Sequence, residues 1–257
     1  RSTFYVLGAI GLIWAVAWFL MFKDNPENHK RITPEEKTYI LASRQEKKAN
    51  SGKGKPPLKS LIRSKNMWLA MGQYFCSNFT NFFALTWLFP HIKNEYGLDA
   101  VEAGIYTSVP LIFGAFGNWS SGALVDKIYR NGNWRRSRTL PAIIGFSLAA
   151  VGLIGSIYMD TPVGAIVFLS LAIFGADMTL APSWSFCVDI GKEFSGTVSG
   201  TMNMAGNLGS FVTALIFPYL AAWWGSSTLF FVVGAVLNLI AILFWINMNP
   251  QQQLIKI

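Results

Sequence analysis

Seven long apolar stretches limit what this chain can fold into. A helix needs roughly 20 apolar residues to span the hydrocarbon of a bilayer, and stretches of about that length recur along the sequence. They are residues 4–22, 67–89, 105–125, 140–157, 163–187, 198–223 and 229–246. Only 13% of the residues are charged, against roughly 25% in soluble domains. The sequence therefore predicts an all-α integral membrane protein embedded in a lipid bilayer.

The positive charges predict an orientation. The net charge is +8, which by itself is compatible with nucleic-acid binding. The cations cluster beside the apolar stretches, however, so the excess of Lys and Arg in cytoplasmic loops explains them better. Residues 94–102, 159–162 and 225–228 contain no Lys or Arg. We therefore expect no nucleic-acid partner, and we expect the long loop and the C-terminus to be cytoplasmic.

The segment between the first two stretches has a different composition. Residues 23–66 are rich in Lys and Arg, and Thr33-Pro34-Glu35-Glu36 has the pattern of a helix start with a capping box. We expect a short amphipathic helix ending near Lys48, followed by a flexible linker over residues 51–57. The predicted organisation is a helix at 1–22, a basic loop at 23–66, a six-helix bundle at 67–247 and a tail at 248–257.

Polar side chains interrupt three of the later stretches. Gln73, Ser77 and Asn81 are spaced four residues apart and predict one polar helix face. Buried polar groups of this kind either contact a polar ligand or connect helices. The candidate residues are Gln73, Tyr74, Asn78 and Asn81 in the second stretch, Ser183 and Trp184 in the fifth, and Asn203 and Asn207 in the sixth.

A single carboxyl group, that of Asp177, lies deep in the fifth stretch. An ionised carboxylate is costly there, so we expect it to be paired or to take part in proton movement. Enzyme chemistry is not expected, because His29 and His91 have no companions at ligand spacing and Cys76 and Cys187 lie singly in apolar runs. The sequence thus predicts neither a metal site nor a cofactor.

The sequence between the third and fourth stretches carries a recognisable motif. Residues 121–138 contain Gly122-x-x-x-Asp126-Lys127, followed by the pair Arg135 and Arg136. This pattern resembles the loop signature of the major facilitator superfamily, although the arginine pair is displaced. The resemblance implies that these five residues lock neighbouring helix ends in one state of a transport cycle. The alternative is a solvated basic loop that only sets orientation.

Three further segments resemble the anion:cation symporter branch of that superfamily, and most closely its hexuronate, aldonate and aldarate carriers. They are Asp24-Asn25-Pro26-Glu27-Asn28-His29, residues 82–90, and the run from Ser183 through Gly209. The resemblance implies one span of an N-terminal half and the complete six-helix C-terminal half of a twelve-span fold. It also implies that the missing N-terminal half is a partner that binds the acid group and the proton. In related carriers the segments of Ser183, Trp184 and Asn203 contact substrate.

The resemblance therefore implies proton-coupled symport of a sugar-acid anion by alternating access, in a bacterial inner membrane. A dicarboxylate or an aromatic acid is the alternative substrate, although an aromatic acid favours a more apolar lining.

Overall fold

The structure is a computed structural model that describes residues 2–23, 25–29, 32–43 and 58–254. It divides into two compact units, Arg1–Lys55 and Pro56–Ile257. The first unit contains helix α1 (Ser2–Met21), a 3-10 turn (Pro26–Asn28) and helix α2 (Pro34–Ser43). Every side chain of α1 is exposed, and nearly all of them are apolar. Such a helix requires a lipid or protein environment.

Helix α2 begins as the sequence predicts. The backbone N–H of Glu36 donates to Oγ1 of Thr33 at 3.2 Å, which is half of a capping box. The expected amphipathic stripe is absent, because Tyr39, Ile40 and Leu41 are consecutive and spread around the helix. The expected continuation to Lys48 and the linker at 51–57 lie outside the described residues.

The second unit is a bundle of helices with short connections. Five parts of the described chain, one in the first unit and four in the second, are long and apolar enough to cross a membrane: Ser2–Met21, Ala100–Arg130, Trp134–Ile157, Pro162–Trp224 and Thr228–Asn247. The helices are α3 (Leu58–Arg63), α4 (Lys65–Thr86), α5 (Leu88–Glu95), α6 (Ala100–Arg130), α7 (Trp134–Ile157), α8 (Pro162–Met178), α9 (Leu180–Gly191), α10 (Ser195–Trp224) and α11 (Thr228–Asn247). The protein is an integral membrane protein.

Two of the predicted spans are broken helices. Trp87 lies between the end of α4 and the start of α5, and Thr179 lies between the end of α8 and the start of α9. Each break precedes a proline by three residues: Pro90 in the first case and Pro182 in the second. Because proline has no N–H, the carbonyl four residues earlier loses its helical donor. The sequence pattern predicts one span where the structure has each of these pairs of helices.

Side chains from other helices satisfy carbonyls that the prolines leave free. The hydroxyl of Ser121 on α6 donates to the carbonyl of Met178, four residues before Pro182. The indole N–H of Trp87 donates to the carbonyl of Ala214 at 3.3 Å, four residues before Pro218 on α10. These bonds tie the irregular backbone to the neighbouring helices, as the membrane interior requires.

We expect Ser121→Ala to destabilise the bundle by about 1–3 kcal/mol, because the buried Met178 carbonyl loses its donor. Ser120→Ala is the matched control, since within the described residues the Ser120 hydroxyl donates to the carbonyl of Gly117 of its own helix. Thermal unfolding in detergent measures the difference. It is monitored by the reaction of a thiol reagent with Cys76 and Cys187, which are buried in the folded protein. Equal melting temperatures for the two variants would contradict the assignment.

The bundle extends beyond the expected limits of 67–247. Met248 is fully buried, and Leu61 of α3 is 3% exposed in the same core cluster. Asn66 donates to the carbonyl of Asn249 at 2.8 Å and accepts from its backbone N–H at 3.1 Å. The described part of the tail, through Leu254, is therefore docked on the bundle, which moves both predicted boundaries outward.

Candidate functional site

Aromatic and amide side chains form a polar face between α4 and α9. The rings of Tyr74 and Trp184 meet edge to face, with centroids 6.3 Å apart. Trp184 is 43% exposed, whereas Tyr74 is 4% exposed. The half-buried amide of Asn78 donates to the carbonyl of Tyr74 at 2.9 Å. Aromatic edges and amides together suit the C–H faces and hydroxyls of a polar organic molecule.

Gln73 and Ser183 lie behind this face rather than on it. Both are fully buried, and the Ser183 hydroxyl donates to Oε1 of Gln73 at 3.3 Å. The indole N–H of Trp245 on α11 donates to the same oxygen at 3.1 Å. The structure therefore places these two candidates in a contact between helices, the alternative that sequence analysis left open.

Two amide side chains of helix α10 lie near Tyr74 and Asn78 of the polar face. Gly206 faces the ring of Tyr74 and the amide nitrogen of Asn78, where an added Cβ would come within 2.6 and 2.7 Å of them. Asn203 and Asn207 flank this glycine, the first half-buried and the second exposed. Among the described residues, neither side-chain amide has a hydrogen-bonding partner in the protein. Both are free to bind a ligand.

Asp177 lies where α8 ends. Its half-buried carboxylate packs against Gly114 of α6, where an added Cβ would collide with it. The side-chain amide N–H of Asn81 donates to this carboxylate, whereas Oδ1 of Asn81 is buried with no hydrogen-bonding partner. Within the described residues, no cation lies within ion-pair distance of Asp177. The group belongs to the polar face but is not neutralised by it.

The opposite region of the bundle has a compact charged contact that sequence analysis missed. Arg138 of α7 binds Asp189 of α9 through both carboxylate oxygens, at 2.8 and 3.3 Å. Their side chains are only 10% and 12% exposed. The indole N–H of Trp134 donates to the same carboxylate at 2.9 Å. The sequence signal for this contact is Arg138, which of the cations in residues 121–138 lies nearest the apolar stretch 140–157.

The five residues of the motif occupy different positions from those expected. Helix α6 continues to Arg130 and α7 begins at Trp134, so only residues 131–133 form a loop. Asp126, Lys127, Arg135 and Arg136 are exposed, and Arg135 donates to the carbonyl of Ile246 at 3.0 Å. Gly122 faces open space, so within the described residues it provides no close helix approach. That role belongs to Gly117, which meets the Phe174 backbone of α8.

Gly117→Ala and Gly122→Ala separate these two positions. We expect the first to destabilise the bundle by about 1–3 kcal/mol, because a Cβ at residue 117 meets rigid backbone. The second is expected to change stability by less than about 0.5 kcal/mol. Melting temperatures in detergent check both, and a larger loss for Gly122→Ala would contradict the packing described here.

These features define a polytopic helical membrane protein with broken spans and a polar face of neutral amides and aromatic rings. The family model of the Major Facilitator Superfamily matches residues 1–214, and the chain belongs to that family. This agrees with the resemblance found in the sequence.

Individual relatives are named as transporters of organic anions. The chain is 32% identical over 251 residues to the "Probable sulfoacetate transporter SauU" of Cupriavidus necator, covering 97% of this chain and 58% of that protein. It is 29% identical to the "Probable galactarate/D-glucarate transporter GarP" of Escherichia coli, covering 86% and 52%. It is 28% identical to an Escherichia coli "D-galactonate transporter", covering 91% and 56%. The chain thus spans little more than half the length of these relatives.

Proposed function

We propose that this chain belongs to a secondary active transporter that moves an organic anion by alternating access. In this proposal residues 1–22 are the last span of a first half, 23–66 are a cytoplasmic connection, and the later helices form the second half. The rest of the substrate cavity comes from the first half. The long connection and the tail face the cytoplasm of a bacterial cell, as the distribution of Lys and Arg favours.

The observation that carries the proposal is the partly open face of Tyr74, Asn78, Asn81 and Trp184, with Asn203 and Asn207 beside it. Its polar groups are neutral except for Asp177. In the described part of the bundle every Lys and Arg lies near a helix end. An anion therefore finds hydrogen-bonding groups for its hydroxyls here, and its acid group needs a cation from elsewhere in the protein.

We propose a sugar acid, such as a hexuronate, aldonate or aldarate, as the substrate, moved together with protons. Amides and an exposed indole match the polyol part of such a molecule. The relatives named for galactarate, D-glucarate and D-galactonate support this choice. The relative named for sulfoacetate favours a second candidate, a smaller organic anion or dicarboxylate without a polyol chain.

An uptake and counterflow screen on the full-length protein in proteoliposomes tests the proposal. The probes are D-galactonate, galactarate, D-glucuronate and sulfoacetate. Trp184→Ala and Asn203→Ala are expected to raise the KM for a sugar acid by about tenfold each, the effect of one or two lost contacts. Trp223→Ala and Asn247→Ala are controls, because both residues are exposed near helix ends.

The screen also separates the alternatives. A preference for sulfoacetate over every sugar acid would favour the second substrate class. Absence of counterflow with all four probes would contradict organic-anion transport of this kind.

The motif residues and the Arg138–Asp189 pair have a proposed role in the transport cycle. Gly122, Asp126, Lys127, Arg135 and Arg136 are exposed or half-buried in this bundle, so they are available to contact the ends of helices in the first half. We propose that they lock one state of the cycle, whereas the buried pair holds α7 and α9 together within the second half.

A further inference from the structure

We propose that the end of the bundle opposite the Arg138–Asp189 pair holds a second small-molecule site, which binds an organic ammonium ion between α5 and the α10–α11 connection. Helix α10 starts at Ser195, shortly after Asp189, and runs to Trp224, so its last residues lie at that other end. The occupant is a different ligand from the proposed anion. The site is built from the shape of a cavity, from unbonded polar groups in its wall and from the sign of their charge.

One face of α5 and the residue that precedes it line a cavity of about 230 Å³. The lining residues of this segment follow the spacing i, i+3, i+4, i+7 and i+8 of a continuous helical stripe. They are Trp87, Pro90, His91, Asn94 and Glu95. The opposite wall is formed by the end of α10 and by residues 225–227. Drug-sized ligands occupy roughly 300–1,000 Å³, so the occupant of this cavity is a smaller molecule.

Aromatic rings hold the inner wall of the cavity in place. The His91 ring meets the rings of Phe83, Phe217 and Phe231 at centroid distances of 5.9, 6.0 and 5.3 Å. The Trp87 ring stacks on Phe217 at 5.4 Å, and its indole N–H is already bonded to a backbone carbonyl of α10. A wall fixed in this way needs little ordering when a ligand binds. Aromatic faces also attract cations.

Five polar side chains of the wall have no partner in the protein. Within the part of the chain that the structure describes, none of them forms a hydrogen bond or an ion pair; they are His91, Asn94, Glu95, Ser226 and Ser227. A single polar group of this kind is ordinarily satisfied by water. Here five of them converge on one cavity from two separate elements. A ligand in the cavity therefore meets hydrogen-bonding groups on both sides.

The sign of the charge identifies the class of ligand. Among the residues that line the cavity, Glu95 alone is formally charged, and it is exposed. Enclosure by phenyl rings disfavours a charged imidazolium, so His91 is neutral and keeps a nitrogen lone pair as an acceptor. A carboxylate and a lone pair accept from N–H and O–H donors, and the carboxylate repels anions. The wall therefore favours an ammonium ion and disfavours the proposed organic anion.

A metal cation fits this wall less well than an organic one. Metal ions are held by several protein ligands, and the described residues contain no group of three or more His, Cys, Asp or Glu side chains that could hold one. An ammonium ion needs only one carboxylate, and aromatic faces stabilise it further. Because the cavity lies at the ends of helices, its ammonium group has two possible sources, a free amine and a lipid headgroup.

Equilibrium binding of radiolabelled choline to the full-length protein, purified in a non-ionic detergent, tests the site without requiring transport. We expect saturable binding that ethanolamine competes away. The neutral tert-butyl analogue of choline has the same shape without the charge, and it is expected to compete about tenfold more weakly. This is the effect of losing one charge interaction at a partly exposed site.

Two variants locate the binding. Glu95→Gln is expected to weaken choline binding by about tenfold, for the same reason, and Glu95→Lys is expected to abolish it. Glu102→Gln is the matched control and is expected to bind like wild type, because it removes an exposed carboxylate near the start of α6, at the same end of the bundle, and leaves the cavity unchanged.

Reconstitution in nanodiscs distinguishes the two sources of the ammonium group. Weaker choline binding in phosphatidylethanolamine than in phosphatidylglycerol would identify a lipid headgroup as the competing occupant. Equal binding in both lipids would indicate a free amine. Either result supports the ammonium site.

Three results would overturn the inference: no saturable binding of choline or ethanolamine by wild type, equal competition by the neutral analogue, or equal affinities for Glu95→Gln and Glu102→Gln. The comparison of choline with its neutral analogue uses the wild-type protein, so it decides the question even if a variant fails to fold. These measurements contain no organic-anion substrate. Their failure would therefore leave the proposed transport function standing, and a failed uptake screen would leave this site standing.

Discussion

Asp189→Asn is expected to destabilise the bundle by about 3–5 kcal/mol, because it leaves the Arg138 guanidinium without its anionic partner in a site with little access to water. The asparagine oxygen can still accept from Trp134, so the loss reports mainly on the ion pair. Thermal and denaturant unfolding of the purified protein in detergent measure it.

Two comparisons make this expectation specific to a buried pair. Asp126→Asn removes an exposed carboxylate from the same region and is expected to cost less than about 1 kcal/mol. Replacing Arg138 and Asp189 together with leucine is expected to cost less than Asp189→Asn alone, since no unpaired charge remains buried. A loss for Asp126→Asn as large as that for Asp189→Asn would contradict the distinction drawn here between the pair and the exposed motif.

Apolar length predicts membrane spans because it is a direct consequence of the thickness of the bilayer. The five parts of the described chain that are long and apolar enough to cross a membrane overlap six of the seven predicted stretches, and 67–89 is the exception. The sequence predicted the helix ends poorly where a charged segment continues a membrane-spanning helix. Residues 126–130 and 134–138 look like loop because they are charged, yet they extend α6 and α7. A charged helix end in water is as stable as a charged loop, so composition alone does not distinguish them.

The positions of the two helix breaks depend on three-dimensional contacts as well as on proline. Pro110, Pro141 and Pro218 lie inside α6, α7 and α10 without ending those helices, whereas Pro90 and Pro182 follow breaks. A proline weakens a helix everywhere. Whether the chain separates there depends on which neighbours satisfy the freed backbone groups, such as Ser121, and that information is not local in sequence.

In the structure the polar face of α4 is centred on Tyr74 and Asn78, whereas the sequence pattern centres it on Gln73, Ser77 and Asn81. Gln73, Ser77 and Asn81 advance by about 40° per step, because four residues exceed one helical turn of 3.6. Gln73 and Ser77 therefore point into the bundle, where Ser77 lies 2.8 Å from the Thr179 hydroxyl, while Asn81 reaches the face. Tyr74 and Asn78, treated as neighbours of the stripe, are central to that face.

Gln73 provides the second large expected effect, and it separates packing from substrate binding. Gln73→Ala is expected to destabilise the bundle by about 2–5 kcal/mol, through a cavity and the loss of the acceptor for the buried Trp245 indole. Gln73→Leu keeps the volume and is expected to cost about 1–3 kcal/mol. Adding Trp245→Phe to Gln73→Leu removes the orphaned donor and should recover part of that loss.

The contrast with Trp184 decides which residues belong to the proposed binding face. Trp184 is 43% exposed and its ring meets that of Tyr74, so Trp184→Ala is expected to lower the melting temperature less than Gln73→Leu does and to raise the KM for the transported anion. Gln73→Leu is expected to do the reverse, lowering the melting temperature with an unchanged KM in the protein that remains folded. A rise in KM for Gln73→Leu without loss of stability would show instead that Gln73 contributes to substrate binding. It would also mean that the α4 helix presents a different face to the cavity during transport.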